Sequence, residues 1–201
     1  MYSTDDLHEA LANTGRLVDG VSPDRWRAPT PCTEWDLRAL VNHVTWVVEM
    51  FGAAAKGDGP PHERGSDVLG DDPAGAFHRA ADIAIGAWRS RGTAGALRIP
   101  IGELPAQVAL GINMTDVYVH GWDVARATGQ DAKLDDRICA ELLAFLPGAV
   151  PPGARDQAFA PIVDVPADAS ASDRLLAYCG RTPVTPRRCV DSFRSTDEIH
   201  T

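Results

Sequence analysis

Apolar positions recur along most of the chain at the spacing of helices. Leu7, Leu11 and Val18 make a stripe that predicts a first helix over residues 5–20. Ser3 or Thr4 can cap it, Asp5 and Asp6 suit its first turn, and Gly20 and Pro23 end it. The proline-set stretch RAPTPCTEWD follows, where Thr33 and Asp36 have the spacing of a capping box. A long helix is predicted from there, over 34–56. The polar loop GDGPPHERGSDVLGDD is long for a bundle connection and is expected to border a pocket and to move. Phe77, Ala81, Ala84 and Trp88 predict a third helix over 73–91. GTAGALRIPIGELP reads as a turn with short extended segments. A fourth helix is predicted over 105–128, stopped by Gly129, and a shorter one over 134–146. Ser172 and Asp173 can open a last short helix that ends at Gly180 and Pro183. Four substantial helices with little strand predict an all-α four-helix bundle with short additional helices and long loops. The expected domain covers 1–185, and 186–201 is expected to be a flexible tail.

The fourth helix is apolar almost all round, yet it carries charge. At about 100° per residue, Asn113, Asp116, His120 and Asp123 fall on one stripe. Ile112, Val119 and Val108 flank that stripe on one side, and Val117 and Val124 on the other. An unpaired carboxylate is costly on such a face, so Asp116 needs a partner. A divalent metal is one, and the i, i+4 spacing lets Asp116 and His120 converge on it. In the second helix, His43 lies between Leu40 and Val47 on one side and Trp46 and Met50 on the other, so it also points inward. Arg38, Asn42, Thr45 and Glu49 take the opposite face. Each residue has a plainer reading: His43 as a core histidine, Asp116 with His120 as an internal ion pair. Together they favour a metal centre of His43, Asp116 and His120. Asp123 fits best as an acceptor for an imidazole N–H or as a partner of Arg126. Asn113 fits the lining of a cofactor pocket better than a ligand.

Composition narrows the class. The 201 residues are 44% hydrophobic, enough for one core, and the formal net charge is −9. That acidity argues against nucleic acid and against a polybasic membrane surface, and no apolar run spans a bilayer. The N-terminal residues are acidic and amphipathic and unlike a secretory signal, so a cytoplasmic location is expected. Cys32, Cys139, Cys179 and Cys189 are widely spaced and read as free thiols, neither ligands nor catalysts. Trp46, Trp88 and Trp122 read as core. No phosphate loop and no nucleophile elbow is present. A small-molecule substrate and a monomer or homodimer are expected.

TPCTEWDLRALVNHV, ALGINMTDVYVHGWDVARATGQ and DVPADASASDRLLAYCGRTP resemble the metal-binding domain of the mycothiol-dependent maleylpyruvate isomerase group, in the DinB-like superfamily. The likeness spans residues 5–185, and its most specific parts are W-x-x-x-x-L-x-x-H and [DE]-x-x-x-H-G-W-D. It implies a DinB-like bundle with a divalent metal, usually zinc, on His43, Asp116 and His120. The acidic ligand of the family is often Glu, one methylene longer than Asp116. The resemblance also implies mycothiol as a cosubstrate, and so S-transfer or thiol-assisted isomerisation on a small electrophile. Two histidines and a carboxylate also describe a non-haem iron triad, which would suit oxygen or Lewis-acid chemistry on a natural-product intermediate. A metal-stabilised binding module without turnover is a third reading.

Overall fold

A computed structural model describes residues 1–100, 102–150, 153, 155 and 159–183 of the chain. Cys189 and the expected tail lie outside these residues. Helix α1 (Thr4–Asp19) starts from a capping box in which Ser3 and Asp6 satisfy each other's backbone N–H. A 3-10 turn (Pro23–Arg25) leads to α2 (Leu37–Lys56). Helix α3 (Pro73–Arg91) has Asp72 as its cap and Pro73 at its first position. A hairpin of β1 (Ala96–Ile99) and β2 (Gly102–Pro105) follows, with Leu97 opposite Leu104 and Arg98 opposite Glu103. Helix α4 (Ala106–Thr128) ends on the left-handed Gly129. Helices α5 (Asp136–Ala149) and α6 (Ala171–Tyr178) pack on each other beside it. No helix among the described residues is long and apolar enough to cross a membrane.

The start of α2 corrects the sequence reading. Thr33 and Asp36 do not form a capping box; Asp36 is itself the cap and accepts from the Ala39 N–H. The reason lies upstream. The N–H groups of Leu37 and Arg38 donate to the Ala28 and Trp26 carbonyls, and Thr30 donates to the Cys32 and Trp35 carbonyls. Residues 26–36 are thereby folded into a fixed turn against the end of α2, not wound into the helix.

Helix α2 packs on α3 and α4, and α1 packs on the same two, so the four close a square with α1 and α2 on one diagonal. With α5 also against it, α4 is buried on almost every side, which explains its nearly uniform apolarity. Close approach depends on small residues. A Cβ on Gly52 of α2 would lie 2.9 Å from the Ala84 Cα of α3, and one on Gly121 of α4 would lie 2.7 Å from the Thr14 hydroxyl of α1. The polar side of α2 is also not bare. Asn42 accepts from the Val68 N–H and donates to the Ser66 carbonyl, Arg38 pairs with Asp67, and the Trp46 indole donates to the His62 carbonyl. The loop between α2 and α3, expected to move, is thus fastened along α2, and Thr45 is buried instead of solvated.

The α2–α3 contact gives a paired test. Gly52→Val forces two backbones apart and should cost about 1–3 kcal/mol. Gly86→Ala, exposed on α3 with nothing within 4 Å of an added Cβ, should gain about 0.5–1 kcal/mol. Urea denaturation of both variants reads the difference, and equal effects would refute the close-approach argument.

Candidate metal centre

Two neighbouring helices bring the predicted residues together. His43 leaves α2 and meets Asp116 and His120, one turn apart on α4. The His43 Nε2 is 3.3 Å from the Asp116 Oδ2, and the His120 Nε2 is 3.7 Å from the same oxygen. One ligand atom from each of the three lies within 4.8 Å of the others. The two imidazoles stand edge to face with centroids 5.1 Å apart. The site is nearly closed, with 19%, 19% and 11% of the His43, Asp116 and His120 side chains exposed. Trp35, absent from the sequence-based site, forms a wall, its ring 4.5 Å from His43 and 5.9 Å from His120.

The unsatisfied atoms point to a missing partner. The Asp116 Oδ1 is buried and accepts no hydrogen bond, and neither amide atom of the fully buried Asn113 has a partner. Native interiors rarely leave such groups unpaired, so a carboxylate with two imidazoles at Oδ2 and no partner at Oδ1 fits a divalent cation. Without one, a proton does part of that work. Burial opposes charge on His120, yet the Asp116 carboxylate and hydrogen bonds to Asp123 and Cys32 raise its pKa to about 10. Burial likewise opposes ionisation of Asp116, but the facing His120 and His43 hold its pKa below the usual carboxylate range.

A second cluster shares His120. Its Nδ1 is 3.0 Å from the Asp123 Oδ2, on the opposite edge of the ring from Asp116. Arg181 donates from Nε to the Asp123 Oδ1 at 3.2 Å and from Nη2 to Oδ2 at 2.7 Å. The same Nη2 lies 2.9 Å from the Cys32 Sγ, and the Cys32 thiol donates to Asp123 at 3.4 Å. Asp123 therefore pairs with His120 and Arg181 and not with Arg126, which lies over the Trp122 ring instead. Cys32, His120 and Asp123 also have metal-ligand spacing. The guanidinium already supplies a cation there, which makes the His43 side the better metal position.

Cys32, expected to be neither ligand nor catalyst, sits in this second cluster, where a helical wheel cannot place it because it lies in the turn before α2. Cys139 and Cys179 are buried, and burial pushes their thiols up to about 12. Helical spacing does not reveal Arg181 either. Its signal was indirect, since a buried Asp123 beside a histidine needs a further cation, and Arg126 was the nearest in sequence. Trp46, Trp88 and Trp122 are core, as expected.

Residues 7–125 match the family model of the mycothiol maleylpyruvate isomerase N-terminal domain. Two uncharacterized proteins of Mycobacterium tuberculosis, from strains CDC 1551 / Oshkosh and ATCC 25618 / H37Rv, are each 35% identical over 169 residues, 83% of this chain and 90% of theirs. Among solved structures, a mutant of the mycothiol-dependent maleylpyruvate isomerase aligns with a TM-score of 0.57 over 81% of this chain and 78% of that one. At 14% identity that likeness establishes a shared fold, the all-α DinB-like bundle. With more than half its length matched by the family model, the chain belongs to the mycothiol maleylpyruvate isomerase N-terminal domain family.

Proposed function

We propose that the chain is a divalent-metal-dependent enzyme that brings a low-molecular-weight thiol, mycothiol, to a small electrophile. The observation that carries this is the convergence of His43 and His120, from two helices, on the Asp116 Oδ2, while the other carboxylate oxygen, Oδ1, is buried and unsatisfied. Two imidazoles and one carboxylate are a zinc set with coordination left open, the catalytic arrangement. When bound, such an ion is a Lewis acid that keeps a thiol in its thiolate form. Family membership supports the thiol, because a structural relative is described as mycothiol-dependent.

The chain's own residues suit that task. His43, Asp116 and His120 hold the ion, Asp123 accepts the His120 Nδ1–H, and Trp35 walls the imidazoles from water. Asn113 lies on the same face of α4, three residues before Asp116, and offers both a donor and an acceptor to a polar ligand. Charge favours an anion. Asp123 and Arg181 cancel, and a divalent ion with Asp116 leaves one net positive charge, which one thiolate neutralises. A thiolate that adds to a carbon–carbon double bond and leaves after rotation gives isomerisation. One that stays bonded to the electrophilic carbon, with the displaced group leaving or, after addition to a double bond, the neighbouring carbanion taking up a proton, gives S-transfer.

Elemental analysis after zinc loading tests the centre. Wild type should hold about one ion per chain. His43→Ala should lose it, and Cys32→Ser should keep it. Loss in Cys32→Ser with retention in His43→Ala would place the ion in the second cluster. Turnover of maleylpyruvate or of generic electrophiles should require both metal and thiol; thiol-independent turnover by the iron form would favour the oxygenase reading.

The pH dependence follows from His120. Its proton is held up to about pH 10, and the ion needs the lone pair that the proton occupies. Affinity should therefore rise with pH, by about tenfold per unit between pH 6 and 8, and fall in acid. Chelator competition measures it, and a flat profile would contradict the assignment of His120.

A further inference from the structure

Arg181 reaches the centre from outside the four-helix core. It follows α6, where Gly180 turns the chain in a left-handed conformation with φ 77° and the Arg181 N–H donates to the Leu176 carbonyl. The guanidinium is 8% exposed, and its Nη1 donates to the Cys179 carbonyl. Its Nε and Nη2 take the two oxygens of Asp123, a fully buried carboxylate. This fork fixes the plane of the carboxylate and leaves Oδ2 facing the His120 Nδ1. Cys32, contributed by the turn before α2, closes the third side by accepting from Arg181 and donating to Asp123. The opposite edge of the ring, Nε2, faces Asp116.

We infer that Arg181 is a positioning residue for the metal centre: through Asp123 it fixes the His120 ring and so sets metal affinity without touching the ion. This rests on the metal-centre reading above. A chain segment that contributes no ligand thereby controls the centre, and two sequence-distant ends, the turn at residue 32 and residue 181, meet on one carboxylate. Metal sites depend strongly on such outer partners, whose loss typically weakens binding about 10–100-fold.

The test uses the full chain with zinc in chelator competition and with cobalt(II) as a spectroscopic probe. Arg181→Gln should weaken zinc binding by about 10–100-fold and change the visible bands of the cobalt form. Arg181→Lys should recover only part of this, because an ammonium cannot take both oxygens as a fork does. Arg181→Gln leaves a buried charge unpaired and can simply unfold. The double variant Arg181→Gln/Asp123→Asn removes that charge and should melt close to wild type while its zinc affinity stays reduced. Arg137→Gln, which loses a surface arginine paired with Asp6 and Glu141, is the control and should bind zinc as wild type does. Wild-type affinity and an unchanged cobalt spectrum in the folded double variant would overturn the inference and leave the centre standing. Absence of zinc binding in wild type is a different result, and it would overturn both.

Discussion

A helix buried on nearly every side carries two carboxylates, and most of the site follows from how each is compensated. Asp123 has no exposed surface. It is met by a guanidinium on both oxygens, by an imidazole and by a thiol; burial opposes its ionisation, but His120 and Arg181 hold its pKa below the usual carboxylate range. Asp116, two turns earlier, has only imidazoles, and one of its oxygens has nothing. A buried pair broken by losing one partner costs about 3–5 kcal/mol, so the first carboxylate is structurally committed. The second is left available. His120 stands between them with one nitrogen turned to each.

The bundle is what makes this division possible. Small residues at the crossings let α2 and α1 lie close to their neighbours, as Gly52 does against Ala84 and Gly121 against Thr14. Close packing on those faces leaves little freedom for the side chains between helices, so His43 arrives at Asp116 without a long flexible reach. The turn over residues 26–36 adds a lid of fixed shape. Its backbone is consumed by bonds to the start of α2 and by the Thr30 hydroxyl, and it delivers Trp35 to the imidazoles and Cys32 to Asp123 at once.

The parts of the site that lie on regular helices were legible in the sequence. A period of 3.6 residues puts His43 among Leu40, Val47, Trp46 and Met50, and puts Asp116 and His120 on one stripe, and the structure brings these three side chains together. Periodicity says nothing about residues outside helices. Trp35 and Cys32 lie in a turn whose course is set by hydrogen bonds to Ala28 and Trp26, partners that no spacing rule names. Arg181 lies 58 residues beyond Asp123, and only the docking of α5 and α6 beside α4 brings it back. Near in sequence, Arg126 looked like the natural partner, but its position on α4 turns it outward over Trp122. The start of α2 was misplaced for a related reason: a local capping pattern at Thr33 lost to non-local backbone pairing.

That asymmetry has a consequence for how the centre forms. The pairing of α2 with α4 is enough to bring the three nitrogen and oxygen donors together. On the inference above, the orientation of His120 is complete only when Arg181 has docked, because it is the one guanidinium at the Asp123 oxygens among the described residues. An ion that binds the completed centre more tightly than the partial one stabilises the closed arrangement by the difference, since binding to the native state alone shifts the equilibrium toward it. On the proposed metal reading, metal affinity and the docking of α6 are two sides of one linkage.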